Sequence, residues 1–125
     1  MNSATLSYKH DELYSELVNL KKIAPNFQLK AEFEGEGSMF ADVASLTQLS
    51  KSCRVPINIK LAGAEALRDL YELSYLGVNG VIAPMIESPF AVVKFREAVK
   101  RVQKIHNFDK VSVLVESKVG LQNLP

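Results

Sequence analysis

Apolar and polar positions follow two rhythms along this chain, and the switches between them mark out helix-like and strand-like runs. Leu13, Leu17 and Leu20, with Tyr14 and Val18 beside them, recur at helical spacing and predict an amphipathic helix over about 11–23. Pro25-Asn26 ends it. Phe27, Leu29, Ala31 and Phe33 then alternate with Gln28, Lys30, Glu32 and Glu34, the period of a strand. Ser38 is placed to cap a second helix running to about Cys53. After Pro56, Ile57, Ile59 and Leu61 face one way while Asn58, Lys60 and Ala62 face the other. Gly63 closes that strand, a third helix is expected over about 64–76, and Gly77 stands where a left-handed cap belongs.

A third strand is expected over 81–86. Ser88-Pro89, an N-cap followed by proline at the first helical position, then starts a fourth helix reaching about residue 105. Lys100, Arg101 and Lys104 fall in its last turns, matching the negative end of its dipole. The run 111–115 predicts a fourth strand, and Ser117 is placed to cap a further helix. Strands alternating with helices at this spacing predict an α/β fold of parallel units.

Strands buried on both faces of an open, doubly wound sheet read as continuous apolar runs. The third and fourth strands fit that description. The first does not, because Lys30, Glu32 and Glu34 occupy one whole face of it. Three charges on a buried face are costly unless they pair or line a wet cavity, and the mouth of a (β/α)8 barrel is such a cavity. Lys30 is expected to pair with Glu32 or a neighbouring carboxylate. A full barrel takes about 250 residues. The chain is therefore read as one partial barrel domain over 1–125, about half of a TIM-type barrel and the N-terminal half of a longer domain. Its open edges call for the remainder of the barrel or a second copy.

Composition narrows the function classes. The chain has 125 residues, 15 basic against 14 acidic side chains, and a net charge of +1, so nothing points to nucleic acid. Its longest uncharged apolar stretch, 78–86, is far short of the ~18 residues of a membrane span. The start of the chain lacks the pattern of a signal peptide, and one cysteine, Cys53, fits a reducing compartment; a cytoplasmic location is the expectation. Cys53 reads as a small apolar residue closing a helix, Arg68 and Glu72 as a surface pair, and neither His10 nor His106 takes a catalytic role. There is no phosphate-binding glycine loop, nucleophile elbow, or cysteine and histidine spacing of a metal site.

The chemistry is instead expected at the C-terminal ends of the strands, where parallel α/β folds bind their ligands. Glu32 and Glu34, Glu87 and Glu116 fall there, with Lys60 and Lys30 as the cations. Carboxylate oxygens of this kind suit Mg2+ or Mn2+, which would polarise a carbonyl or enolate oxygen. The competing explanations are structural. Glu87 and Glu116 each precede a helix whose dipole favours a carboxylate, and Lys60 also reads as an ion-pair partner.

Three runs carry a resemblance: Lys30-Ala-Glu-Phe-Glu-Gly-Glu-Gly37, Ile59-Lys-Leu-Ala-Gly-Ala-Glu-Ala66 and Gly80-Val-Ile-Ala-Pro-Met-Ile-Glu-Ser-Pro89. Together they resemble the aldolase/citrate lyase beta-subunit family, which includes class II pyruvate aldolases, over roughly residues 13–125. The resemblance implies a (β/α)8 barrel in which a divalent metal holds an α-keto acid or its enolate. The run Val113-Leu-Val-Glu-Ser117, followed by Leu121-Gln-Asn-Leu124, is similar to the one supplying a metal ligand in that family, and places that role on Glu116. The family's second ligand is an aspartate on the following strand, beyond Pro125. Lys60 stands nearest the family's carboxylate-holding arginine, and no histidine occurs in 34–40, where those aldolases carry a catalytic one. The resemblance thus implies a portion of a metal-dependent carbon–carbon lyase acting on a small carboxylate. Glu32 and Lys60 would be its catalytic residues, with Lys30, Glu34 and Glu87 binding substrate. The rival expectation is an inactive half-barrel that binds a small acid or serves in assembly, and a phosphate-binding barrel is weaker than either.

Overall fold

The computed structural model describes residues 3–33 and 38–124, with side chains from residue 9 onward. The described strands are β1 (Leu29–Glu32), β2 (Ile57–Lys60), β3 (Gly80–Ala83) and β4 (Lys110–Val113). The helices are α1 (Ser3–Ile23), α2 (Phe40–Cys53), α3 (Leu67–Leu76), α4 (Pro89–Val102) and the short α5 (Lys118–Gln122). All three strand pairings are parallel and the sheet order is β1-β2-β3-β4, so each neighbour is reached through a helix. The expected α/β fold of parallel units is therefore observed.

Alternation along each strand decides which face is buried. Ile57, Ile59, Leu61, Val81 and Ala83 pack with Val43 of α2, Leu70 and Leu73 of α3, and Phe95, Ala98 and Val102 of α4 in one core. A smaller cluster joins Leu17 of α1 to Leu49, Cys53 and Val55. The helices thus bury their apolar stripes on one side of the sheet. The opposite face carries two rows: Lys30, Asn58, Gly80 and Lys110, then Glu32, Lys60, Ile82 and Ser112. An unswitched strand order with helices on one side is a singly wound layer, unlike a doubly wound sheet.

Local signals explain most of the boundaries. The Ser88 hydroxyl accepts from the Ala91 N–H at 3.2 Å, and that of Ser117 from the Gly120 N–H at 3.0 Å. Gly77, at φ 71°, ends α3 with its N–H on the Leu73 carbonyl. The second helix departs from expectation: Met39, not Ser38, is its cap residue, because the Asp42 carboxylate reaches back to the Met39 N–H at 2.8 Å. The third helix begins at Leu67 rather than near residue 64, since residues 63–66 form a turn closed by the Ala66 N–H on Gly63. The fourth stops at Val102, where turn bonds replace the helical ladder.

Lysines close two helix ends from the neighbouring helix. The Lys21 ammonium of α1 lies 2.9 Å from the Arg54 carbonyl at the end of α2. That of Lys51 in α2 lies 2.7 Å from the Leu76 carbonyl at the end of α3. Both satisfy carbonyls that have no partner within their own helix and sit at the negative pole of its dipole.

Cys53 ends α2 buried, and that burial pushes its thiol above the ordinary value, outweighing the nearby Lys21 ammonium. A thiol reagent at pH 8 should therefore label the native chain far more slowly than the urea-unfolded chain. Equal rates would place Cys53 at the surface.

Candidate functional site

Register builds the first part of the site. Glu32 and Lys60 are direct partners across β1 and β2, at the C-terminal end of both strands, and their charged atoms meet at 2.9 Å. Their side chains are 16% and 21% exposed, so the pair is screened more than a core pair and less than a surface one. The partner of the Glu32 carboxylate is thus the Lys60 ammonium rather than that of Lys30, which is exposed one row nearer the N-terminal end. Glu34 lies outside the described residues.

Below that pair, Asn58 spans the same face. Its Nδ2 donates to the Gln28 side chain at 2.7 Å, and its Oδ1 occupies the space that a Cβ on Gly80 would need, at 2.1 Å. Glycine at 80 is what lets a buried polar side chain lie flat across the sheet. At the rim, Asp69 in the first turn of α3 accepts from the Ala62 N–H at 3.0 Å and fixes the segment leaving β2.

The second part of the site is a bulge between β3 and β4. The Leu114 N–H donates to the Ala83 carbonyl, but the Leu114 carbonyl accepts from Ile86 where an unbroken parallel ladder would use Met85. The extra residue turns Met85 to φ 47°, a left-handed conformation that costs a non-glycine residue about 1–2 kcal/mol. The freed Met85 N–H is taken up by the Glu116 carboxylate, Oε1, at 3.0 Å. Glu116 is exposed and immediately precedes the Ser117 cap of α5. It is a rim residue that ties two strand tips together.

Glu87 sits apart from both. It lines an apolar cavity of about 370 Å³ with Ile86, Val92, Val115 and Leu124, and its carbonyl accepts from the Asn123 side chain at 2.7 Å. The structure therefore pairs Glu32 with Lys60 and Glu116 with Met85, and sets Glu87 at the α4–α5 junction. Among the described residues, no three His, Cys, Asp or Glu side chains form a group able to hold a metal ion. Asn58, Asp69 and Met85 were not anticipated as parts of the rim. Only Met85 carries a local signal, since Pro84 before it interrupts the ladder donors of β3.

These features define an α/β protein with a singly wound parallel sheet and charged groups at its strand tips. Compared with known proteins, the chain matches no family model and no curated protein.

Proposed function

We propose that this chain forms about half of a TIM-type barrel and is a portion of a metal-dependent carbon–carbon lyase, acting on an α-keto acid or related small carboxylate. The observation that carries the reading is the polar, helix-free face of the sheet, ending in the Glu32–Lys60 pair and in Glu116. The sequence runs at those tips, which resemble the aldolase/citrate lyase beta-subunit family, support it independently.

Glu116 fits one ligand position for Mg2+ or Mn2+. It is an exposed carboxylate with one oxygen oriented by a backbone N–H and Oε2 outside that contact, as hydrogen-bonded ligating carboxylates are. It is one ligand and not a set. The remaining oxygen ligands would come from substrate, water and a carboxylate outside the described residues. The bound ion would supply Lewis-acid stabilisation of an enolate oxygen. Lys60 neutralises a substrate carboxylate as a point charge, and Glu32 holds the Lys60 ammonium in place and orients a hydroxyl or water. A second reading, a non-catalytic assembly or small-acid-binding module, is favoured by the exposed apolar residues along β4 and α5.

Electron paramagnetic resonance of Mn2+ with the whole chain tests the proposal. Oxalate, a planar mimic of enolpyruvate, should tighten Mn2+ retention. Glu116→Gln, which keeps an acceptor for the Met85 N–H, should weaken it about tenfold or more. Lys60→Gln should leave Mn2+ alone unaffected and remove the effect of oxalate. Retention in Glu116→Gln equal to the parent chain would overturn the proposal.

A further inference from the structure

The two ends of the sheet are unlike each other in a complementary way. At one end, α1 leads into β1 and has no strand before it among the described residues. At the other, among the described residues, β4 is followed by the five-residue α5, whose Gly120 packs against Ile86 and Val115 above the strand. Val81 and Ala83 of β3 are 0% exposed beneath the helices. Their register partners on β4, Val111 and Val113, are 49% and 41% exposed. On α1, Leu13 and Leu20 stand two turns apart on one flank of Leu17 and are also exposed. Lys21, which reaches α2, lies on the other flank.

A third feature marks the same place. Lys21 and Lys51 each stand third from the end of their helix and close the carboxyl end of the next helix. Lys100 holds that position in α4 and is exposed. Ser74 holds it in α3, where the hydroxyl bonds to its own helix. The slot beside α4 thus offers a cation to a helix end, an apolar floor in Val111 and Val113, and the open edge of β4.

We infer that a second copy of this chain seats its α1–β1 unit in that slot, with α1 over Val111 and Val113, its carboxyl end at Lys100, and β1 parallel to β4. One strand-and-helix unit then satisfies the floor, the cation and the edge together, as each unit inside the chain does for its neighbour. The reciprocal contact forms across a twofold axis. Two copies supply eight strands, the number at which parallel barrels close. The combined mouth gathers strand tips from both copies, so the site is incomplete in one. This rests on the half-barrel part of the proposed function and not on its metal.

Light scattering on the full chain should give twice the 13.9 kDa of one copy. Val113→Glu and Leu20→Glu, both at exposed positions, should each yield folded monomer by circular dichroism. Mixing the two variants should restore association, because one good junction then forms between the intact α1 of the first and the intact β4 of the second. Lys100→Ala, the milder change, should weaken the dimer several-fold. A monomeric parent chain, a dimer indifferent to both glutamates, or open-ended assemblies would each overturn the inference. Because the readout is mass, these results are independent of Mn2+ retention: a dimer without metal binding would sink only the lyase reading.

Discussion

Replacing Phe95 with alanine is expected to lower the unfolding free energy by about 3–5 kcal/mol. Phe95 is the largest of the fully buried side chains, 2% exposed on the inner face of α4. It packs in the cluster that holds Ile59, Val81 and Ala83 of the sheet with Leu70 and Leu73 of α3. The loss has two parts, the transfer free energy of the ring and the cavity left among neighbours that strand pairing holds in place. A domain of this size has total stability of about 5–15 kcal/mol, so the loss is about a fifth of it or more and the variant should unfold at a clearly lower urea concentration than the parent. Urea unfolding followed by circular dichroism measures it. A loss below about 1.5 kcal/mol would mean that α4 does not cover the sheet as described.

Gly120→Ala sets two effects against each other. Alanine is the better helix residue by about 1 kcal/mol, which would favour α5. The new Cβ, however, would stand 2.7 Å from the Ile86 carbonyl oxygen, 3.1 Å from Val115 and 3.2 Å from the Ser117 hydroxyl. Ile86 cannot yield cheaply, because its N–H is bonded to the Leu114 carbonyl in the β3–β4 ladder. Overpacking of this kind costs about 1–3 kcal/mol, and α5 spans only five residues, too few to realise a full propensity gain. The clash should win. The expected result is a melting temperature several degrees lower, with α5 shifted and the Asn123–Glu87 and Met85–Glu116 bonds disturbed. Amide spectra of Met85 and Asn123 report both. An unchanged or raised melting temperature would show that α5 is not docked against Ile86.

Much of the fold was legible in the order of residues. The Ser88-Pro89 start, the Gly77 stop, the Ser117 cap and the alternation through 57–61 each depend on local backbone chemistry. A few adjacent residues therefore suffice to read them. Cys53 as a buried helix-closing residue and the Arg68–Glu72 pair, at 3.1 Å, followed from the same local rules. Ser38 misled because the competing cap, Asp42, reaches back from within the helix, and either arrangement satisfies an end of α2. Arg54, left-handed at φ 56° with no glycine to announce it, is held by bonds from its N–H to the Ser50 and Lys51 carbonyls.

The site was legible in its residue types and not in its partnerships. That charged residues gather on one face of β1 is visible from alternation. Which of them meet is not. Lys30 and Glu32 are neighbours on one strand, yet Glu32 turns to Lys60 because the β1–β2 register sets those two side by side. Glu116 was expected at the rim as a metal ligand or a helix-dipole partner. Its observed bond goes to Met85, an amide that is free only because of a bulge in a different strand.

By itself, then, the sequence determined the alternation of strands and helices, most of their start and stop points, and the charged side of the first strand. All of these are set by contacts between residues a few positions apart. Only the tertiary structure decided the sheet order, the one-sided burial, the Glu32–Lys60 partnership and the strained Met85 turn beside Glu116. Those depend on which distant segments lie side by side. Periodicity in one segment carries no information about the register of another.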